Sequence, residues 1–372
     1  MNTSLKDRVT AWAFMAPALV VLGVFGFFPI GYAFFVSLHR WRVKRGAFVG
    51  FEHYNRALGD PLYVALFVLG LAFFLGVRHW VTGQSLWLRV VRRGLEAATL
   101  IAAGAGLLGV VGSGDPRLFN AFKVTAFYAV CAIPAEVAIS MVLAYLLFKA
   151  LSAKGFFRVL FFLPYVTPMI ATAVAFRIIF SPHPFSLANQ IGGAFGLQTM
   201  GWLFESRSVV SLALQALDIT QYPGWVDAAF PSMALISVVL YNIWVYIGYD
   251  TVILLAGFSA IPPHYYEAAA IDGATAAQAF RHITLPLISP ALFFISLIAV
   301  IGTFRAFNHI YIMRTPGARD TVDVVSVAIF DQIILSHNLA YAAALSLILF
   351  VVILGLTFVQ NRVLGRRVFY GD

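Results

Sequence analysis

The chain has 372 residues, of which 61% are hydrophobic and 11% charged, and its mean hydropathy is +0.87. Soluble domains carry about 25% charged residues, so the composition excludes a soluble globular protein and points to one embedded in a bilayer. The formal charge of +9 would suit a nucleic-acid partner, but the basic residues flank apolar runs, where membrane topology accounts for them.

Bilayer-crossing helices need about 20 apolar residues. The first such run, Ala13 to Leu38, is uncharged throughout. It is too long for a signal-peptide core and no small-residue cleavage site follows, so it is expected to remain as an anchor. Arg40 to Arg45 then carries four basic residues. Two weaker runs, Leu62 to Val77 and Ala97 to Val111, are separated by Arg78, Arg89, Arg92 and Arg93. They are expected to form an inserted apolar hairpin that crosses the membrane, with a re-entrant or surface-lying pair as the alternative. Gly59-Asp60-Pro61 and Gly114-Asp115-Pro116 flank this insert, as though one loop had been opened at that tripeptide.

Stronger runs follow. Val124 to Phe148 carries only Glu136, Phe161 to Phe180 only Arg177, and Ser232 to Ile261 is interrupted by Asp250, while Leu287 to Phe304 and Leu339 to Val359 are clean. Between them, Ser181 to Asp227 holds Pro182, Pro184, Gly192, Gly193, Pro223 and Gly224, and reads as an external loop with short helices. The alternation of a membrane barrel is absent, so the expected fold is all-α, with six core transmembrane helices plus the hairpin, eight in total. The expected divisions are 1–61 for the tail, first helix and loop, 62–114 for the insert, 115–364 for the core and 365–372 for the tail. The single Cys131 lies inside a span, which leaves no disulfide framework.

Lys6 and Arg8 precede the first span, Arg362, Arg366 and Arg367 follow the last, and Lys149, Lys154 and Arg158 lie between two others. Placing these in the cytoplasm, with both termini, satisfies the positive-inside rule; the segment from Arg40 to Arg45 is then an exception on the outside.

The segment 258–286 is a polar break between two apolar runs. Pro262 and Pro263 suit a helix start, because proline lacks only a donor that the first turn leaves unpaired. The alanines to Ala270 favour helix, and Gly273 can take the left-handed conformation that ends one. Thr275 and Gln278 have capping-box spacing for a second short helix, which Pro286 should terminate. Ionisable groups within spans are functional candidates by default: here Glu136, Arg177, Asp250 and Arg305, with Asn242, Tyr246, Tyr249, Asn308 and His309 as neutral company. Tyrosine and asparagine suit a sugar, offering flat faces and hydrogen-bond partners. Interhelical contacts, or an Asp250–Arg305 ion pair, are the competing account, and for Glu136 and Arg177 the better one.

Glu267-Ala268-Ala269, then Asp272-Gly273, Ile283 and Leu285-Pro286 have the spacing of the EAA loop of ABC importer permeases. With the segment Arg158 to Pro168, which contains Phe-Phe-Leu-Pro, and Phe48-Val49-Gly50-Phe51, the chain resembles the carbohydrate-uptake permeases of the maltose and glycerol-phosphate type, and the first of their two permeases. The resemblance implies a type I importer permease in a bacterial or archaeal cytoplasmic membrane. Its implied partners are a second permease, two ATP-binding subunits, an extracytoplasmic sugar-binding protein, the sugar and membrane lipid. ATP and Mg would be used by the partner ATPases. In agreement, this chain has no phosphate-cradling Gly-x-x-x-x-Gly-Lys-Ser/Thr loop, so no catalysis and no cofactor of its own are expected. The resemblance also implies that Glu267 contacts an ATPase, that Ala268 and Ala269 permit close packing, and that Gly273 sets the elbow angle. It places Tyr241 to Asp250 and Thr303 to Tyr311 along the sugar path.

Two other classes remain at this stage. An ion-coupled secondary transporter would need carboxylate or histidine relays and inverted repeats with broken helices. A polytopic enzyme would need clustered His, Asp or Cys at one membrane face, and the eight histidines are scattered.

Overall fold

In hydrocarbon every backbone N–H and C=O must be paired within the chain, so the long apolar runs fold as helices. The computed structural model describes residues 5–42, 44–80, 86–149, 154–219 and 221–369. Two compact units are present: one holds the residues up to Phe119 together with Ile329–Val351, the other Asn120–Ala328 and the chain after Val352.

In the first unit, helices α1 (Leu5–Leu22) and α2 (Phe28–Ser37) join through a π-helical turn, Gly23–Phe27, giving one span from Val9 to Ser37. The basic segment that follows is a two-stranded hairpin, β1 (His39–Trp41) and β2 (Arg45–Phe48), paired antiparallel with Trp41 opposite Arg45. Two of its four charges have local partners. Arg40 pairs with Glu52 at 3.3 Å, and the Arg45 guanidinium lies 4.9 Å from the Phe35 ring centroid.

Helix α3 (Glu52–Leu58) meets α4 (Pro61–Trp80) at a 71° bend, and α5 (Leu86–Ser113) returns along α4. Both helices are longer than the apolar runs that predict them, since α5 begins among its arginines, with Arg92 paired to Glu96 at 2.9 Å. The turn expected between them, residues 81–85, lies outside the described residues. The two Gly-Asp-Pro tripeptides meet. The Asp60 amide donates to Ser113 Oγ at 3.2 Å and the Asp115 amide donates to the Ala57 carbonyl at 3.1 Å, so the insert leaves and re-enters the chain at one point. Each aspartate also caps the helix after it, Asp60 accepting from the Leu62 amide and Asp115 from that of Arg117, both at 2.9 Å.

The chain continues as α6 (Pro116–Lys149), α7 (Lys154–Val166) and α8 (Met169–Ile179). The single span expected from Phe161 to Phe180 is broken by 93° between α7 and α8. Pro168 supplies no amide there and biases Thr167 away from the helical region, while the Thr167 hydroxyl donates to the Pro164 carbonyl at 2.6 Å.

The stretch from 181 to 227 carries short helices α9 (Leu187–Ala194), α10 (Val209–Ala216) and α11 (Trp225–Ala229). Asn189 organises it, accepting from the Met200 amide and the Trp202 indole at 2.9 and 2.7 Å. A bidentate contact to Arg207 holds the Glu205 carboxyl below its ordinary value. Partial burial pushes Asp227 up, but bonds from Ser211 and from the amide and hydroxyl of Ser208, with the charge of Arg207, outweigh it and hold Asp227 low.

Next come α12 (Met233–Ser259), α13 (His264–Ile271), α14 (Ala276–Ala279), α15 (Leu285–Leu287), α16 (Ser289–Phe304), α17 (Asn308–Met313), α18 (Arg319–Val322), α19 (Val325–Ile334) and α20 (Leu339–Val363). Among the described residues five helices are long and apolar enough to cross a membrane, and eight spans result if each of three bent pairs is counted once. The third bent pair is that of α14–α15 with α16, whose 62° bend falls at Ile288, so the expected span from Leu287 to Phe304 is the unbroken helix Ser289–Phe304.

Candidate functional site

The second unit brings two candidate regions together through one pair of helices. Helix α12 descends to the elbow α13–α15, and α16 returns beside it, with Gly257 facing Ala291 so closely that an added Cβ would lie 3.1 Å from the alanine methyl.

The elbow is built by local rules. Helix α13 starts directly after Pro262-Pro263 and ends in a Schellman motif: the Ala274 amide donates to Ala269 O at 2.9 Å and the Gly273 amide to Ala270 O at 3.1 Å. Gly273 holds φ +75, a conformation that side chains with a Cβ resist. The capping box at Thr275 is complete, with the Gln278 side chain accepting from the Thr275 amide at 2.7 Å. The Tyr266 and Thr284 hydroxyls, 2.9 Å apart, clamp the two arms. One expectation fails: Pro286 does not terminate the second arm, which runs on to Leu287. The preceding turn, Phe280–Thr284, is π-helical, with the Leu285 amide donating to Phe280 O, and this widened ladder makes no demand on the amide that Pro286 lacks.

Glu267, Ala268, Asp272, Gly273 and Leu285 are exposed, whereas Ala269, Ile283 and Pro286 are half-buried against the elbow's interior. Ile271, which the motif spacing does not mark, stands 87% exposed at the tip of α13. Phe280 and Tyr266 anchor the elbow to a core formed by Phe258, Ile261, Ile288 and Ile295.

Farther along the same helices from the elbow lies a cavity of about 340 Å³. All six path candidates, Asn242, Tyr246, Tyr249, Asp250, Arg305 and Asn308, line it. Asn242 and Asp250 are buried, Tyr246 and Tyr249 half-buried, and Arg305 and Asn308 exposed. Helix α12 presents the first four. The last two sit where α16 ends at Phe304 and the chain unwinds before α17; there the Ala306 carbonyl accepts from the Ser326 hydroxyl. The sequence misses Tyr165, whose ring stacks on Tyr249 at 4.6 Å between centroids. It lies one residue past the Phe-Phe-Leu-Pro run, and that adjacency is the only sequence signal it has.

Glu136, read from the sequence as an interhelical contact, also lines the cavity. Its Oε2 accepts from the Asn242 amide nitrogen at 3.0 Å, and the Asp250 carboxyl lines the same cavity. Tyr128 donates to Asn242 Oδ1 at 2.7 Å and lies 2.8 Å from His309 Nε2. A tyrosine has one proton to give, so the imidazole is the donor in the second bond and carries its hydrogen on Nε2. His309 Nδ1 and Asp250 Oδ2 are buried without partners among the described residues. Arg177 does act as interhelical contact, donating to the Ile312 carbonyl at 3.2 Å. Asp250 and Arg305 make no ion pair among the described residues. Nor does any group of three potential metal ligands occur among them.

The cavity and the exposed elbow are thus linked through α12 and α16. The family model described as the binding-protein-dependent transport system inner membrane component matches residues 136–370, most of the chain. The chain belongs to this family. It is similar to the arabinooligosaccharides transport system permease AraP of Halalkalibacterium halodurans, with 28% identity over 68% of this chain and 72% of that one. It is likewise similar to the sn-glycerol-3-phosphate transport system permease UgpA of Agrobacterium fabrum, 24% identical over 85% and 98% of the two chains. Among solved structures, a bacterial ABC transporter that imports the acidic polysaccharide alginate has a chain of the same fold, with a TM-score of 0.63, 19% identity and 97% coverage of both chains. The protein is thus an inner-membrane transport component with the importer-permease fold.

Proposed function

We propose that this chain is one of two permeases in an ATP-driven sugar importer, forming half of the path and receiving its driving force through the elbow. One observation carries the reading: the exposed elbow joins the two helices, α12 and α16, that farther along line the polar and aromatic cavity. Displacing the elbow therefore acts on the cavity through two rigid levers. Exposed Glu267, Asp272 and Ile271 offer a partner one polar edge and one apolar knob, while Ala268 and Gly273 let it approach the backbone closely. ATP and Mg belong to two partner ATPase subunits, and closure of that pair rocks the helices between inward-open and outward-open states. A binding protein delivers the sugar from the outer side, and both termini lie in the cytoplasm. The 62–114 hairpin is an addition to the six-helix core, a reading supported by the meeting of its two Gly-Asp-Pro ends.

Affinity purification of the tagged chain from its native membrane tests the proposal. A soluble ATP-hydrolysing subunit should co-purify, and Ile271→Asp should reduce its recovery at least tenfold. A chain that imports sugar with no such partner sinks the reading.

A further inference from the structure

Two classes of sugar would meet this cavity differently: neutral saccharides, and those bearing a phosphate or a uronate carboxylate. We infer that the path is built for a neutral saccharide and excludes anionic ones; the inference rests on reading the cavity as a sugar path. Four ionisable side chains line it, Glu136, Asp250, His309 and Arg305. The imidazole gives its Nε2 hydrogen to Tyr128 and is neutral when Nδ1, buried without a partner, serves only as a lone pair. Glu136 and Asp250 are both buried on the wall of this one cavity, and two carboxyl groups sharing a buried site do not both ionise, so one of them keeps its proton. The Glu136–Asp250 pair therefore carries a single negative charge.

That charge is at the buried end, where each carboxyl residue is 3% exposed, and among the described residues no cation is buried with it. Arg305 stands on the exposed side. The neutral donors at the buried end are partly engaged, one N–H of the Asn242 amide serving Glu136 and the Tyr128 hydroxyl serving Asn242, and no charged donor lies there among the described residues. Beside them stands an acceptor, Asp250 Oδ2, unpartnered among the described residues and in need of a donor. A sugar hydroxyl supplies one. The stacked Tyr165 and Tyr249 rings offer the apolar face that a neutral pyranose or furanose ring covers. A phosphate or carboxylate would instead meet a like charge in a low-dielectric site, where repulsion is poorly screened.

The test is equilibrium dialysis of the complex purified with its partner subunits but without binding protein. The probes are labelled neutral di- and trisaccharides, each paired with its own 6-phosphate or uronate derivative. Retention of at least one neutral probe tenfold above its anionic twin is expected. An anionic twin retained within tenfold of its parent overturns the inference and leaves the sugar-importer reading intact. If an assembled, ATP-hydrolysing complex retains neither kind, the sugar-path reading fails and this inference with it. The double variant Glu136→Gln/Asp250→Asn, which removes the charge and keeps the shape, should gain at least tenfold in retention of the anionic twins. Either single variant leaves one carboxylate and should not. An assembled double variant that still excludes anions overturns the assignment to this pair. Should it fail to assemble, the wild-type comparison alone decides.

Discussion

The elbow and the cavity are carried by the same two helices, yet different physics holds each. The backbone and capping bonds that shape the elbow from Pro263 to Gln278 span five residues or fewer, as in Ala274 to Ala269 and Thr275 to Gln278, and the longer Tyr266–Thr284 clamp still spans only 18. The cavity's bonds reach across the chain, from Tyr128 to Asn242, Tyr128 to His309 and Asn242 to Glu136. Local bonds let a surface feature keep its shape while it is pushed. Long-range bonds make the cavity respond when its helices move. A transport subunit needs both properties at the two ends of one lever.

The comparison breaks most severely at Gly248, where α12 touches α7. A Cβ there would overlap the Phe161 carbonyl, because the helices approach backbone to backbone. Gly248→Leu should force them apart at a cost of at least about 1–3 kcal/mol, disorganising Asp250 two residues on while leaving the elbow's local bonds intact. Loss of the detergent-stable complex, read by size-exclusion chromatography, is expected. A normally assembled variant would show that the close contact is not needed.

Gly273→Val strikes the other end. A β-branched residue resists φ +75, and the left-handed conformation costs about 1–2 kcal/mol even for an unbranched one. A Cβ there meets nothing within 4 Å, so the damage is to backbone conformation and not to packing. Assembly should persist while ATP-driven uptake falls at least tenfold. Normal uptake would show that the elbow angle does not transmit force.

These two regions also differ in how far the sequence alone describes them. Caps, a positive-φ glycine and helix propensity act over a few residues, so the arms, the Gly273 stop and the Thr275 capping box are legible in the order of the amino acids. Pro286 is the exception, because a π turn two residues before it is a property of the folded ladder and not of the proline. In the cavity, Asn242, Asp250 and Asn308 stand out as polar residues within apolar runs. Nothing local says that Glu136, more than a hundred residues before Asn242, bonds to it, or that Tyr165 stacks on Tyr249. The bends at Thr167 and Ile288 are likewise hidden within unbroken hydropathy.

Asn308→Ala sharpens the comparison from the cavity's open side. Asn308 is exposed on the cavity wall, so truncation should remove a hydrogen bond to the passing sugar without stranding a protein partner. The loss of one such bond is worth about 0.5–1.5 kcal/mol, and uptake should slow by roughly two- to tenfold. Assembly and basal ATPase activity should stay within error. Unchanged uptake with a lower melting temperature would instead assign Asn308 to helix contacts.

The smallest effect is expected at Thr275. Its hydroxyl accepts from the Gln278 amide at 3.3 Å while the Gln278 side chain bonds back, so Thr275→Ala opens one half of the box. Loss of a capping hydroxyl costs about 0.5–2 kcal/mol in helices that stand alone. Here the second arm is also held by the Tyr266–Thr284 clamp and by Phe280 in the core, so the cost should fall at the low end of that range. Hydrogen exchange should quicken at the amides of Ala277 and Gln278, with uptake reduced less than threefold, and Thr275→Ser should restore both. If exchange at those amides is unaltered, the clamp alone defines the elbow's second arm, and the contrast between locally built elbow and remotely built cavity is narrower than the bonding pattern implies.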